Sequence, residues 1–129
     1  MNDQILFYQA KLSYEIDSWD LSVMIKNTEK VVVLDVRSKG NYDAEHIEGA
    51  ISLPHREITR ESTAKFDKDT LFVTYCDGIG CNGSTKGALK MASLGFDVKE
   101  LIGGIAWWKR DGHATSKNMP ENQKVKCGC

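Results

Sequence analysis

Residues 71–96 read LFVTYC DGIGCNG STKGALKMASLGF, and the succession of residue types along this stretch decides the fold. Leu71 to Tyr75 is a continuous run of branched and aromatic residues with no polar alternating face, the pattern of a strand buried on both sides in a parallel sheet. Gly78, Gly80 and Gly83 then mark a turn, and Ser84 to Leu94 predicts a helix with Gly95 as the left-handed residue past its end. A strand that runs through a glycine-rich turn into a helix puts Cys76 at the carboxyl edge of the sheet, where open α/β sheets place their ligand sites. The glycines let the loop Asp77, Gly78, Ile79, Gly80, Cys81, Asn82, Gly83 curl so that successive backbone N–H groups face inward, an anion-binding concavity at the start of the helix. Such a setting lowers the pKa of Cys76 and makes a nucleophilic thiolate. The competing reading is a small buried hydrophobe that ends a strand, the common fate of free cysteine.

Working outward, Val31 to Val36 is a second run buried on both faces, and Leu12 to Ile16, Ala50 to Leu53 and Asp97 to Ile102 are shorter strand candidates. Trp19 to Lys26 reads as a helix with Asp17 or Ser18 as N-cap. In the helix after the loop, Ala88, Leu89, Met91 and Ala92 form the expected buried stripe, core and not a cofactor site. Strands alternating with helices imply an α/β fold around a central parallel sheet. A chain of 129 residues fits one domain without needing structural staples, expected over 1–115 with its core over about 10–115, and the polar stretch 116–129 reads as a flexible tail.

Seventeen basic and eighteen acidic residues are interspersed, so no basic stripe exists to neutralise a phosphate backbone and nucleic acid is not an expected partner. The N-terminal stretch has neither a signal-peptide pattern nor a span-length apolar run, so membranes are not expected partners and the expected location is the cytoplasm. Cys76, Cys81, Cys127 and Cys129 fall in two close pairs, which in a reducing compartment favours thiol chemistry or metal over stapling disulfides. Spacings of C-x4-C and C-x-C depart from zinc knuckles, so neither a metal nor any other cofactor is expected.

Three segments resemble the rhodanese family. LDVRSKGNYDAEHIEGAISLP carries the first signature through Asp35, Arg37, Tyr42, His46, Ile47, Gly49 and Ala50; YCDGIGCNGSTKGALKMASLGF is similar to the active-site strand, loop and helix; LIGGIAWWKRDGH resembles the closing signature through Gly103, Gly104, Trp108 and Gly112. The resemblance covers about residues 30–115 and implies a five-stranded parallel sheet flanked by helices. It also implies sulfurtransferase activity, in which Cys76 accepts a sulfane sulfur from a small-molecule donor, thiosulfate or a persulfide, and passes it to a thiol or protein acceptor.

Two features depart from the family pattern. The loop is about two residues longer than usual and holds no Arg or Lys between Cys76 and Lys86, while Asp77 adds a negative charge worth about 1 kcal/mol of repulsion at about 4 Å in water. Thiosulfate is therefore expected to be a poor donor. The second departure is Cys81, which can attack a persulfide on Cys76 and release sulfide, receive its sulfur, or stay inert; the longer loop also leaves open that Cys81 is the nucleophile, although Tyr75-Cys76 ending the strand favours Cys76. A phosphatase of C-x5-R type is disfavoured because position 82 is asparagine. A non-catalytic binding or redox-sensing module using the Cys76/Cys81 pair is the remaining alternative.

Other residues are read as support. Asp35 and Arg37 are expected to pair, His46 to cap or bridge the following turn, Trp107 and Trp108 to pack on the sheet, and Asn82, Ser84 and Thr85 to cap the helix or orient the sulfur. The tail cysteines Cys127 and Cys129 are accessible enough to relay sulfur from Cys76 or to bind a soft metal, and the simpler reading is two exposed thiols without a dedicated role. Oligomeric state is left open.

Overall fold

The computed structural model describes residues 2–27 and 29–118; the expectations for Cys127, Cys129 and the rest of the tail from 119 onward lie outside them. The two apolar runs become β2 (Val31–Asp35) and β5 (Leu71–Tyr75), paired in parallel from Val31 opposite Leu71 to Asp35 opposite Tyr75. β6 (Asp97–Leu101) flanks β5, β1 (Glu15–Ile16) lies beyond β6, and β4 (Ile51–Ser52) lies beyond β2. The result is the expected five-stranded parallel sheet, of order β1-β6-β5-β2-β4.

Helices cover both faces, which is why the central strands show no polar alternation. Val33, Val73 and Tyr75 point to one face, where they meet Leu21 of α2 (Ser18–Lys26) and Ile105 and Trp108 of α5 (Gly104–Arg110). Leu34 and Phe72 point to the other, where they meet Met91 of α4 (Gly83–Ser93), Phe96 and Ile58. Asp17 caps α2 by accepting from the Asp20 N–H at 2.8 Å.

Three expectations change. The stretch from Leu12 is helical through Tyr14, as part of α1 (Asp3–Tyr14), and only Glu15–Ile16 remains strand. Asn2 caps α1 at Ile5, and the Lys11–Glu15 ion pair ties its last turn, so local helical interactions carry the chain to the sheet edge. The buried stripe of α4 is Gly83, Ser84, Gly87 and Met91, and Leu89 is 68% exposed. Gly87 sets this rotation: a Cβ there would lie 2.9 Å from Val36 Cγ1, so the helix rests on the sheet through its glycine face. Finally, β7 (Thr115–Ser116) pairs antiparallel with β3 (His46–Ile47), and the Asn118 N–H donates to the Asp43 carbonyl at 2.7 Å, so the expected boundary at 115 runs through an ordered strand pair. Among the described residues no helix is long and apolar enough to cross a membrane.

Candidate active site

Cys76 follows the last residue of β5 and is 1% exposed. Its carbonyl accepts from the Ile105 N–H at 3.0 Å, and that of Asp77 accepts from the Ala106 N–H at 2.9 Å. The start of α5 is thus docked on the backbone of the cysteine loop. Only glycine permits this approach at 104: its φ is +60°, and a Cβ would sit 2.4 Å from the Cys76 carbonyl oxygen and 2.8 Å from the Gly78 nitrogen. In the sequence Gly103-Gly104 was legible only as part of a signature; a glycine pair between a strand and a helix was the available signal for close approach.

Within the loop, Cys76 and Cys81 are joined by a disulfide with their Cα atoms 6.3 Å apart. The Cys81 N–H donates to the Gly78 carbonyl at 3.4 Å, a turn that folds the loop back on itself. Cys81 is half-buried, whereas Cys76 is enclosed. In this oxidised state neither sulfur is a thiolate.

Asn82 stands at the N-cap of α4 but makes no side-chain cap bond. Ser84 and Thr85, expected to cap or to orient the sulfur, instead both donate to Glu100 Oε1 on β6, Ser84 at 2.8 Å. The Thr74 hydroxyl donates to the Ser84 carbonyl at 2.9 Å. These residues fasten the start of α4 to β5 and β6, so their part in the site is to position the loop's exit.

Arg37 is the main electrostatic organiser. Its side chain is 2% exposed, and its Nε and Nη2 donate to Asp35 at 2.7–3.2 Å, with Nη2 also donating to the Glu45 carbonyl at 2.6 Å. Nη1 reaches across to Asp77 Oδ1 at 2.9 Å. Burial alone would lower the guanidinium pKa, but the hydrogen bonds and charge of Asp35, with Tyr75 and Asp77 alongside, push it above its ordinary value. The Tyr75 hydroxyl donates to Asp35 Oδ2 at 2.7 Å and accepts from the Ile47 N–H at 3.0 Å. Burial, then the neighbouring Asp35 carboxylate, pushes the Tyr75 pKa well up, so the phenol stays neutral.

The expected pairing of Asp35 with Arg37 is therefore present, and it extends to the loop. Arg37 is shared between Asp35 and Asp77, so the three groups together keep one net negative charge, and the contact fixes the position of the Asp77 carboxylate beside the loop. No local pattern in the sequence linked positions 37 and 77.

The remaining signature residues build the frame. His46 stacks on Tyr42 at 3.8 Å with Nδ1 2.7 Å from the Tyr42 carbonyl, and the Tyr42 hydroxyl donates to the Ala50 carbonyl at 2.6 Å. Trp108 is buried and donates to the Ala114 carbonyl at 2.8 Å, while Trp107, expected on the sheet, lies outward beneath Arg110. Among the described residues no group of three or more His, Cys, Asp or Glu is arranged to hold a metal ion. A cleft of about 210 Å³ lined by Val36, Arg37, Ser38, Lys39, His55 and Arg56 opens where the chain leaves β2. A larger hollow of about 650 Å³ lies among Tyr14, Leu89, Phe96 and Val98 and includes none of the cysteine-loop residues.

The five-stranded sheet with a cysteine loop at its carboxyl edge belongs to the rhodanese family: the Rhodanese-like domain profile matches residues 20–111. Among relatives, the thiosulfate sulfurtransferase GlpE of Coxiella burnetii is 34% identical over 103 residues, covering 78% of this chain and 88% of that protein. The HTH-type transcriptional regulator Rv0324 of Mycobacterium tuberculosis is 31% identical over 91 residues; the match covers 70% of this chain and only 40% of that protein. The crystal structure of the BH2092 protein from Bacillus halodurans superposes with a TM-score of 0.84 at 44% identity, covering 91% of this chain and 86% of that one. Relatives named as thiosulfate sulfurtransferases support a sulfurtransferase family for this chain.

Proposed function

We propose that this chain is a rhodanese-type sulfurtransferase, acting as a single domain in the reducing cytoplasm, with Cys76 as its sulfur carrier. In the reduced loop the Cys76 thiolate attacks the outer sulfur of thiosulfate, forming a persulfide and releasing sulfite, or takes the sulfane sulfur of a low-molecular-weight persulfide and releases its thiolate. An acceptor thiolate then attacks the terminal sulfur, carries it away as a new persulfide, and returns Cys76 to its thiolate. The observation that carries this reading is the placement of Cys76 directly after β5, its carbonyl held by α5, with the loop leading into a helix whose N-cap side chain makes no cap bond. Amides at that helix start are suited to an anionic sulfur. Because Arg37 is shared between Asp35 and Asp77, the loop offers no net positive charge to a dianionic donor, which favours a low-molecular-weight persulfide over thiosulfate.

The test is mass analysis of reduced protein after incubation with thiosulfate and, separately, with glutathione persulfide. One added sulfur on the peptide containing Cys76 in Cys81→Ser, absent when Cys76→Ser is added, is the expected result. No sulfur on any cysteine of Cys81→Ser, with no sulfide released by wild type, would refute the proposal with either donor. The Cys76–Cys81 disulfide favours a second reading, a redox-sensing module, which would show reversible oxidation of the pair without sulfur uptake.

A further inference from the structure

Cys81 has no place in the transfer cycle just described, yet it is bonded to the carrier cysteine. We propose that Cys81 is a resolving cysteine, which turns the loop into a persulfide reductase that releases the carried sulfur as sulfide. The inference rests on the reading of Cys76 as sulfur carrier and adds a second fate for its persulfide.

The geometry identifies which sulfur Cys81 attacks. In the Cys76 persulfide the inner sulfur is the Sγ of Cys76 itself, and that is the atom to which the Cys81 sulfur is joined. The loop makes this contact while β5 still ends in register with β2 and the Cys76 and Asp77 carbonyls keep their bonds from α5. A Cα separation of 6.3 Å lies within the span that a disulfide bridges without backbone rearrangement. Gly80, at φ +93°, makes the turn that brings Cys81 back to Cys76.

The step balances without an external oxidant. The Cys81 thiolate attacks Cys76 Sγ; the bond from Sγ to the terminal sulfur breaks and its electron pair leaves with hydrosulfide. The two cysteines are oxidised to the disulfide as the sulfane sulfur is reduced to sulfide. Hydrosulfide is a weak enough base to leave at neutral pH, and the contact of Cys81 with Cys76 Sγ selects the inner sulfur. A dithiol reductant reopens the loop. Because Cys81 is the more exposed partner, the first thiolate attacks the Cys81 sulfur and expels Cys76 as thiolate; the second thiol then closes the reductant's own disulfide and frees Cys81.

The experiment uses the full chain with Cys127→Ser and Cys129→Ser in the background, so that tail thiols do not contribute. Reduced, desalted protein receives a stoichiometric donor, thiosulfate or glutathione persulfide, with no further reductant. Sulfide release above a Cys76→Ser blank and the mass of each cysteine peptide are measured. The expected result is one equivalent of sulfide per chain followed by arrest, with the Cys76–Cys81 disulfide as product, while Cys81→Ser and Cys81→Ala release none and retain the Cys76 persulfide. Persulfide persisting on wild-type Cys76 as in Cys81→Ser, or sulfur recovered on Cys81, would overturn the resolving role and leave the sulfurtransferase reading intact. Absence of both persulfide and sulfide in every variant would overturn the sulfurtransferase reading, and the resolving role with it.

Discussion

Replacing Gly104 by alanine tests whether docking of α5 on the cysteine loop holds the site together. Two costs are separable. The left-handed φ of +60° costs an alanine about 1–2 kcal/mol. The methyl would also lie 2.4 Å from the Cys76 carbonyl oxygen, where an ordinary carbon–oxygen contact needs about 3.3 Å, so α5 must retreat by roughly 1 Å. That retreat breaks the bonds from the Ile105 and Ala106 N–H groups to the Cys76 and Asp77 carbonyls, each worth about 1 kcal/mol. The expected total is about 3–4 kcal/mol. Gly112→Ala is the control, because Gly112 has φ +85° and nothing within 4 Å of its would-be Cβ, so it bears the first cost alone. Urea unfolding under reducing conditions measures both variants, and sulfur loading, read in a Cys81→Ser background where the persulfide is retained, should fall in Gly104→Ala only. Equal losses of stability in the two variants, with loading unchanged, would refute the docking argument.

Arg37→Ala strips the buried Asp35 of its counter-ion and should cost about 3–5 kcal/mol by urea unfolding, with Arg37→Lys recovering part of it because the charge survives without the fork. Tyr75→Phe leaves the Ile47 N–H without its acceptor and Asp35 without a donor, and a loss of about 1–3 kcal/mol in thermal or urea unfolding is expected. Burial alone would raise the Glu45 pKa, but bonds from Lys109 and Thr115 hold it below the ordinary glutamate value. Its stabilisation is therefore complete above about pH 4.3 and is lost as pH falls through the lowered folded-state value; Glu45→Gln should flatten the melting temperature against pH in that acid range.

How far the chain could be read locally depends on the range of each interaction. The runs 31–36 and 71–75 declare themselves as central strands because both of their faces are covered, which shows as an absence of polar alternation within a few residues. Cys76 follows from the same stretch, since its position at the strand end is a matter of chain order. The rotation of α4 did not follow: apolarity alone points to Leu89, but the close approach of Gly87 to Val36 turns Leu89 outward. A missing side chain gives no hydrophobic signal, although it decides the packing distance.

The sequence by itself determined the α/β architecture, the parallel sheet, the place of the cysteine at its carboxyl edge and the pairing of Asp35 with Arg37, because periodicity and short-range chemistry suffice for each. Tertiary structure alone decided that Arg37 reaches Asp77 forty positions away, that Gly104 seats α5 on the Cys76 carbonyl, and that Cys81 turns inward to Cys76. Each depends on angstrom-scale distances between elements whose separation along the chain, or whose loop path, carries no local periodicity to read.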